Sequence, residues 1–180
     1  MVYVLLGEGF EEVEAIAPVD LLRRAGITVN TVGVTGKMVS GSHGIGIEAD
    51  ITLEQMELAE CEMIVLPGGL KGVASLRASE AAMDAVLSCW KEGKFVAAIC
   101  AGPTVLADLH IPDGKNATCY PGCEGQMGDA HMIPQAAAVR DGKLITGTSA
   151  GCAIPFALKL IEALKDTETA GTIARQIVMR

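Results

Sequence analysis

Five short apolar runs, rich in β-branched residues, recur along the chain and constrain its fold more than any other feature. The runs are 1–6, 28–34, 62–67, 95–99 and 143–148. Uninterrupted apolar runs of this length are typical of strands buried on both faces of a parallel sheet. Segments with helical spacing lie between or after them, at 11–25, 79–92 and 152–165. The alternation predicts one domain over residues 1–180, a three-layer α/β sandwich whose mostly parallel sheet has helices on both faces.

Two segments and one proline interrupt this alternation. Residues 37–50 alternate small and apolar side chains, which predicts a hairpin or a pair of edge strands. Residues 116–143 combine a Pro-Gly turn, a short helical pattern and an Arg-Asp-Gly hairpin turn. Pro18 falls within the first helical segment, where we expect it to kink the helix or to mark its true start.

The charge balance narrows the range of partners. Lys and Arg number 14 against 22 Asp and Glu, for a net charge of −8. Phosphate backbones and anionic membranes are repelled on average, and the only basic doublet is Arg23-Arg24. We therefore expect neither a nucleic-acid partner nor a membrane partner. The first residues lack the charged segment of a signal peptide, so the expected location is the cytoplasm.

The six cysteines are too sparse for a disulfide scaffold, and we expect them to be reduced. Cys61, Cys89 and Cys152 lie in or next to predicted strands and helices, where buried structural thiols are common. Cys119 and Cys123 are spaced so that a helix would place both on one face. A zinc site there would need further ligands, and none is evident, so no metal is predicted.

Cys100 differs from the others in its setting. It follows the run 95–99, is flanked by Ala98 and Gly102, and precedes a predicted helix start at Pro103. Small residues around a nucleophile at the end of a strand are typical of a nucleophile elbow, a sharp turn that presents the side chain. In open α/β sheets, ligands bind outside the carboxyl ends of the strands. The alternative is one more buried structural thiol, but the agreement of strand end, small flanks and helix start favours a functional cysteine.

An unperturbed thiol, with a pKa of about 8.5, is only about 3% ionised at pH 7. A nucleophile at this position therefore needs an environment that lowers the pKa of Cys100. A helix N-terminus can do this, because its free amides and its dipole favour an anion. We accordingly expect Cys100 to be the most acidic of the six thiols.

Three further patches, read together, resemble a known family. They are "GEGFEEVEAIAPVDLLRRAG" after the first run, "LPGG" after the third and "AAICAGP" after the fourth. In this order and spacing the chain resembles the ThiJ/PfpI superfamily, specifically its DJ-one (Parkinson-associated protein, deglycase) branch, over nearly all of its length. The resemblance implies a flavodoxin-like version of the predicted sandwich, a homodimer and a function that needs no cofactor.

The resemblance also implies roles for individual residues. Cys100 matches the family's reactive cysteine, and Glu14 matches the acidic residue that contacts its sulfur. Gly68 and Gly69 match the loop glycines whose amides line the pocket. Protease-like relatives commonly carry histidine after the cysteine, so Ala101 favours the DJ-one branch and argues against peptidase activity.

Glu14 has a physical rationale as the partner of a thiolate. An ionised carboxylate beside a thiolate would raise the pKa of both groups, whereas a protonated carboxyl in an apolar pocket donates a hydrogen bond to the sulfur. Glu14 would then stabilise the thiolate and also transfer protons. The alternative is an acidic residue in the first turn of a helix, which is how Glu11 and Glu12 are interpreted.

The chain departs from the family pattern at one pocket position. Mammalian members carry a histidine where Tyr120 aligns, and His43, His110 and His131 do not obviously replace it. Tyr120 can hydrogen-bond a substrate, but a tyrosine hydroxyl, with an unperturbed pKa of about 10, is a poor base at pH 7. Any mechanism that needs that histidine is therefore in doubt for this chain.

The loop after the last predicted strand supplies two further candidates. Thr148 or Ser149 could face the Cys100 pocket from the neighbouring strand end; alternatively, Ser149 is simply the N-cap of the helix that follows. Both residues are therefore candidates for substrate binding.

Three functions follow from these residues. The first is a glyoxalase III-like hydro-lyase or deglycase that acts on small α-oxoaldehydes such as methylglyoxal, or on their early protein adducts, through Cys100 and Glu14. The second is a non-enzymatic stress sensor or redox-regulated chaperone that uses oxidation of Cys100. The third, a glutamine-amidotransferase-like hydrolase, would need a late His-x-Glu pair that the segment around His131 does not supply.

Overall fold

The computed structural model describes residues 1–179. Its strands are β1 (Val2–Leu6), β2 (Val29–Gly33), β3 (Met38–Ser40), β4 (Gly46–Glu48), β5 (Ile51–Thr52), β6 (Met63–Leu66), β7 (Phe95–Ile99), β8 (Asn116–Ala117), β9 (His131–Met132), β10 (Ala138–Asp141) and β11 (Leu144–Gly147). Its helices are α1 (Glu12–Arg24), α2 (Leu70–Ala78), α3 (Glu80–Lys91), α4 (Pro103–Asp108), α5 (Ala153–Leu164) and α6 (Thr167–Gln176).

The central sheet has seven strands in the order β10-β11-β7-β6-β1-β2-β5. Every neighbouring pair is parallel except the hairpin of β10 and β11 at one edge. This is the mostly parallel sheet that the five apolar runs predict, in the flavodoxin-like form that the family resemblance implies. Because β1, β6 and β7 are adjacent and parallel, the loops that follow them lie side by side at the carboxyl ends of the strands.

The core lies on both faces of this sheet. All residues of β1, β6, β7 and β11 are buried. Because successive side chains of a strand point to opposite faces of the sheet, they enter opposite layers: Leu6 packs with α1 and α5, and Leu5 packs with α2 and α3. Fully burying one such leucine stabilises the fold by about 1.5–3 kcal/mol relative to exposure. The two apolar layers explain why these strands read as continuous apolar runs rather than as alternating ones.

Several boundaries and elements differ from the sequence-based expectation. The helix α1 begins at Glu12 and continues through Pro18, so Pro18 does not mark its start. Proline has no N–H, so the carbonyl of Glu14 lacks the donor that residue 18 would otherwise supply. The helices α2 and α6 were not predicted, because each is short and contains an internal glycine.

The two irregular segments agree with expectation only in part. Residues 37–50 form the antiparallel hairpin of β3 and β4, as predicted. Residues 116–143 contain the predicted hairpin at Asp141, but their helical part is a single 3₁₀ turn, Glu124–Gln126. Cys119 and Cys123 therefore do not share a helix face. No helix among residues 1–179 is both long enough and apolar enough to cross a membrane.

Candidate active site

Cys100 follows β7 with a backbone conformation that is unusual for a residue with a side chain. Its φ is +65°, in the left-handed region that favours glycine. The strain is held by bonds on both sides: the Cys100 N–H donates to the Gly147 carbonyl at 3.0 Å, and the Cys100 carbonyl accepts from the Tyr120 N–H at 2.8 Å. The elbow that the sequence predicts is therefore present, and it leaves Cys100 half-buried at the carboxyl ends of the strands.

Two glycines allow the backbone to close around this elbow. A Cβ at Gly102 would come within 2.7 Å of the Leu66 carbonyl oxygen. A Cβ at Gly68 would come within 2.6 Å of Glu14 Oε2 and within 2.7 Å of the Cys100 Cβ. Any larger residue at position 68 would push the carboxyl group and the cysteine apart.

Glu14 lies in the first turn of α1 and is fully buried. The Gly68 N–H donates to its Oε2 at 2.9 Å. Its Oε1 has no partner of ordinary hydrogen-bond geometry among residues 1–179. The N-cap residue Glu11 accepts from the Glu14 N–H at 2.8 Å and so fixes the backbone that carries this side chain.

Burial sets the ionisation of the pair. Burial raises the pKa of Glu14 to about 7, although a hydrogen bond with Cys100 and the Gly68 amide act in the opposite direction. Burial, followed by the charge of Glu14, raises the pKa of Cys100 to about 12. The charge of Glu14 disfavours a thiolate at Cys100, whereas the hydrogen bond from Cys100 favours the Glu14 carboxylate, so the first proton to leave the pair comes from Glu14.

The expectation that Cys100 is the most acidic of the six thiols is therefore wrong. With a pKa of about 7, Glu14 is partly protonated at neutral pH, and its role as a hydrogen-bond donor to the sulfur stays a prediction. The helix that was to lower the pKa of the thiol is α4, which has only six residues. Its effect is outweighed by removal of the sulfur from water and by repulsion from the neighbouring carboxylate. The two pKa values belong to the pair, which carries one negative charge between about pH 7 and pH 12.

The predicted amide donors divide between the two groups. The backbone amides of Ala101 and Gly69 lower the pKa of Cys100, so both face the sulfur. Gly69 reaches this position with φ +88°, and a Cβ there would lie 2.5 Å from the Gly9 carbonyl oxygen. The Gly68 amide, by contrast, is bonded to Glu14 and is not free to bind a substrate oxygen.

Tyr120 and Thr148, two further predicted site residues, lie around the elbow and differ in exposure and in hydrogen bonding. Tyr120 is 49% exposed and is tied to Cys100 through its backbone. The Thr148 hydroxyl is buried in a hydrogen bond with Thr118 at 2.9 Å and also donates to the Ala136 carbonyl. Thr148 thus supports the loop and does not offer its hydroxyl to a substrate.

Ser149 follows Thr148 and occupies the N-cap position of a 3₁₀ turn, Ala150–Cys152, but its hydroxyl makes no capping bond. The next residue has a role that sequence reasoning missed. The backbone amide of Ala150 interacts with the Glu14 carboxyl and lowers its pKa. No side-chain signal marks such a contact, because only the course of the loop brings the amide there.

The three histidines lie away from this pair in roles of their own. The His43 Nδ1–H donates to the Glu12 carboxylate at 3.0 Å, and the His110 Nδ1–H donates to the Asp113 carboxylate at 2.9 Å. His131 is exposed in β9. All three histidines are exposed at the surface.

Comparison with known proteins places this geometry in a family. A sequence model described as the DJ-1/PfpI family matches residues 1–163. Protein dj-1beta of Drosophila melanogaster is 37% identical over 178 residues, which cover 98% of this chain and 95% of that protein. A deglycase of Pyrococcus abyssi is 30% identical over 165 residues, which cover 91% of this chain and 99% of that protein.

The solved structures agree with the sequence comparisons. The crystal structure of Drosophila melanogaster DJ-1beta matches with a TM-score of 0.94 at 36% identity, covering 99% of this chain and 97% of that one. The fold is therefore shared over nearly the full length of both chains.

Proposed function

The chain belongs to the DJ-1/PfpI family, and from this premise we propose that it is a cofactor-free glyoxalase or deglycase that acts on small α-oxoaldehydes such as methylglyoxal. The observation that carries the proposal is the buried Glu14 carboxyl beside the Cys100 thiol, with a pKa raised by burial to about 7. A base with a pKa near the working pH is well matched to proton transfer.

The first step uses both groups. The Cys100 sulfur attacks the aldehyde carbon while the Glu14 carboxylate accepts the thiol proton, and a hemithioacetal forms. Glu14 passes the accepted proton to the oxygen of the former aldehyde, which becomes a hydroxyl group on the same carbon, and Glu14 returns to its carboxylate form. The amides of Gly69 and Ala101, which face the sulfur, are placed to donate to that oxygen as its charge develops.

The second step moves a proton between two carbons of the substrate. The Glu14 carboxylate removes the hydrogen from the carbon bound to sulfur and returns a proton to the former keto carbon, giving a thioester of lactate. Water then cleaves the carbon–sulfur bond, releases lactate and regenerates the thiol. The substrate is oxidised at one carbon and reduced at the other, so no external electron carrier is consumed.

Deglycation of proteins follows the same chemistry with a different leaving group. The deglycase of Pyrococcus abyssi matches 91% of this chain. An early adduct of methylglyoxal with a thiol or amine releases the same aldehyde carbon to Cys100. We propose that free aldehydes and early adducts are alternative substrates of one site.

The test is lactate production from methylglyoxal by the purified protein. Cys100→Ala should abolish lactate formation, and Cys152→Ala, which alters another half-buried cysteine, should leave it unchanged. Absence of lactate in the wild-type protein under reducing conditions would reject the enzyme proposal.

A redox role is the second candidate, and the half-buried state of Cys100 favours it. Peroxide would oxidise the Cys100 thiolate to sulfenic and then to sulfinic acid, in a stress sensor or a redox-regulated chaperone. Intact mass after peroxide treatment separates the two candidates. Oxidation confined to Cys100, in a protein that makes no lactate, supports sensing.

We also propose a homodimer in the cytoplasm. An apolar groove between α1 and β4 is lined by Val13, Ile16, Ile45, Ile47 and Ile154. Val13 is 52% and Ile45 57% exposed, which is costly for a monomer in water. A second copy seated on this face would cover it. Ile16→Lys should yield monomers in sedimentation, and a monomeric wild-type protein would reject the dimer.

A further inference from the structure

Two other thiols lie in direct contact. The Cys89 Sγ donates to the Cys61 Sγ at 3.4 Å, and both side chains are buried. Cys61 lies two residues before β6, and Cys89 lies near the end of α3. The sequence predicts each as a structural thiol, and burial confirms that part, but nothing in the sequence pairs them.

The pair is close enough to be joined without a rearrangement of the fold. A disulfide has an S–S length of about 2.05 Å, so the two sulfurs need to approach by about 1.4 Å. Rotation of two cysteine side chains, or a small shift of the segment before Cys61, provides this movement. That segment is a 3₁₀ turn, Leu58–Glu60, at the surface, and it is held to Cys61 by the bond from the Cys61 N–H to the Leu58 carbonyl at 3.1 Å.

The surroundings favour ionisation of one of the two sulfurs. When Cys89 ionises, the hydrogen bond between the two sulfurs reverses and the Cys61 thiol donates to the Cys89 thiolate. This interaction lowers the pKa of Cys89 and raises the pKa of Cys61. The Lys94 ammonium adds a positive charge that lowers the pKa of both groups. Lys94 is held in place by the Leu58 carbonyl and by Glu92 at 2.8 Å.

A small oxidant has a route to the pair. A surface groove is lined by Cys61 together with Gly93, Lys94, Phe95 and Lys143, among others. Hydrogen peroxide is close to water in size and in hydrogen bonding. The groove therefore brings solvent up to Cys61, which is 3% exposed, beside Lys94.

The pair is remote from Cys100. Cys61 precedes β6 and Cys100 follows β7. Because these two strands are parallel neighbours, the two sites lie at opposite ends of the strands. The five residues of β7 span about 16 Å. Direct transfer of oxidation from Cys100 to this pair is excluded by that distance.

We propose that Cys61 and Cys89 form a reversible disulfide when the protein meets hydrogen peroxide, a second redox site that is independent of Cys100. A thiolate of the pair attacks one peroxide oxygen, the O–O bond breaks, and a sulfenic acid and hydroxide form. The second thiol displaces the hydroxyl group, and the S–S bond forms with release of water. Overall, two thiols lose two electrons and two protons, and one peroxide becomes two waters. A dithiol reductant reverses the reaction.

The test uses the whole chain with and without Cys100. Wild-type protein and Cys100→Ala are treated with peroxide, the remaining thiols are alkylated, and the protein is digested with trypsin. Cleavage after Lys and Arg leaves Cys61 in fragment 38–71 and Cys89 in fragment 78–91, each with no other cysteine. We expect these two fragments to appear cross-linked in both proteins and to separate on reduction. Cys100→Ala should fall from five titratable thiols to three.

The specificity of the Cys61–Cys89 pairing is measured by comparison with the denatured chain. The same treatment in denaturant should give mixed pairings, whereas the folded chain should give the Cys61–Cys89 link in large excess. The proposal is overturned if the folded chain shows no such link while Cys100 in the wild-type protein is fully oxidised. A link between Cys119 and Cys123 in its place would also overturn it. No variant at positions 61 or 89 is needed, so a folding defect cannot obscure the result.

Discussion

A cysteine lies beside a second ionisable group at each end of the central parallel strands, and the second group differs between the two ends. At the carboxyl ends of the strands, Cys100 faces the Glu14 carboxyl on a strained elbow with φ +65°. At the amino ends, Cys61 faces Cys89, and neither has a positive φ. Burial disfavours charge at both ends, so the group beside each cysteine decides which atom loses a proton first. A carboxyl gives that proton to solvent near neutral pH, and a thiol partner keeps it much longer.

The different partners suit the two cysteine sites to different chemistry. Glu14 can accept a proton from sulfur and return it to carbon, which suits catalysis that leaves sulfur in its original oxidation state. Cys61 and Cys89 have no such base between them, but they have a second sulfur within contact distance, which suits oxidation to a disulfide. Backbone hydrogen bonds to Gly147 and Tyr120 fix Cys100 in its strained conformation, whereas Cys61 has an ordinary φ of −70°.

The largest effect is expected from Glu14→Gln. Glutamine can still donate a hydrogen bond but cannot accept the thiol proton, so lactate formation should fall by roughly 10²- to 10⁴-fold. The measurement is kcat/KM for methylglyoxal. The same variant should form the Cys61–Cys89 disulfide as the wild-type protein does. Turnover that survives the substitution would contradict the proton-transfer role of Glu14.

The same substitution should have the opposite effect on stability. The pKa of Glu14 is raised from 4.5 to about 7 on folding, so the folded chain holds this proton more tightly than the unfolded chain. The stabilisation is complete below about pH 4.5 and is lost as pH rises to about 7. Above pH 7 the ionised carboxylate has forfeited about 3 kcal/mol, at 1.36 kcal/mol per pKa unit.

Glu14→Gln has no such loss, so at pH 8 its free energy of unfolding should exceed that of the wild-type protein by up to about 3 kcal/mol. The measurement is denaturant unfolding at pH 5 and pH 8, under reducing conditions. A gain that is equal at both pH values would show that ionisation of Glu14 is not the cause.

A smaller effect is expected from Gly68→Ala. The added Cβ meets Glu14 Oε2 and the Cys100 Cβ at 2.6 and 2.7 Å, so the pair must separate. We expect a loss of about 1–3 kcal/mol in the free energy of unfolding, together with reduced turnover. Gly125→Ala is the matched control, because its Cβ would enter open space and its φ is not positive. Equal losses in the two variants would reject the close-packing explanation.

The sequence predicts the frame of this comparison better than its details. The runs at β1, β6 and β7 predict the sheet because strands buried on both faces need apolar residues at every position. The helix α2 was missed because a nine-residue segment with Gly72 and Ser75 has little apolar periodicity. Gly72 is there for a tertiary reason: a Cβ would lie 2.7 Å from the Phe10 Cα.

The candidate site follows the same division. Cys100 and Glu14 are found from their positions at strand and helix ends, together with the family resemblance. The Ala150 amide and the contact between Cys61 and Cys89 depend on where distant segments meet. The ionisation of Cys100 was predicted with the wrong sign because sequence shows a helix start but not the depth of burial around the sulfur.

The central claim is that Glu14 and Cys100 ionise as one pair, and the rate of Cys100 alkylation as a function of pH tests it most directly. Loss of the first proton gives the pair its reactive form, so the wild-type rate should rise with a midpoint near pH 7, the pKa of Glu14. In Glu14→Gln this rise should vanish, and alkylation should need a pH above the ordinary thiol pKa of about 8.5. A rise near pH 7 that persists in Glu14→Gln would contradict the account, because Cys100 would then ionise there without Glu14.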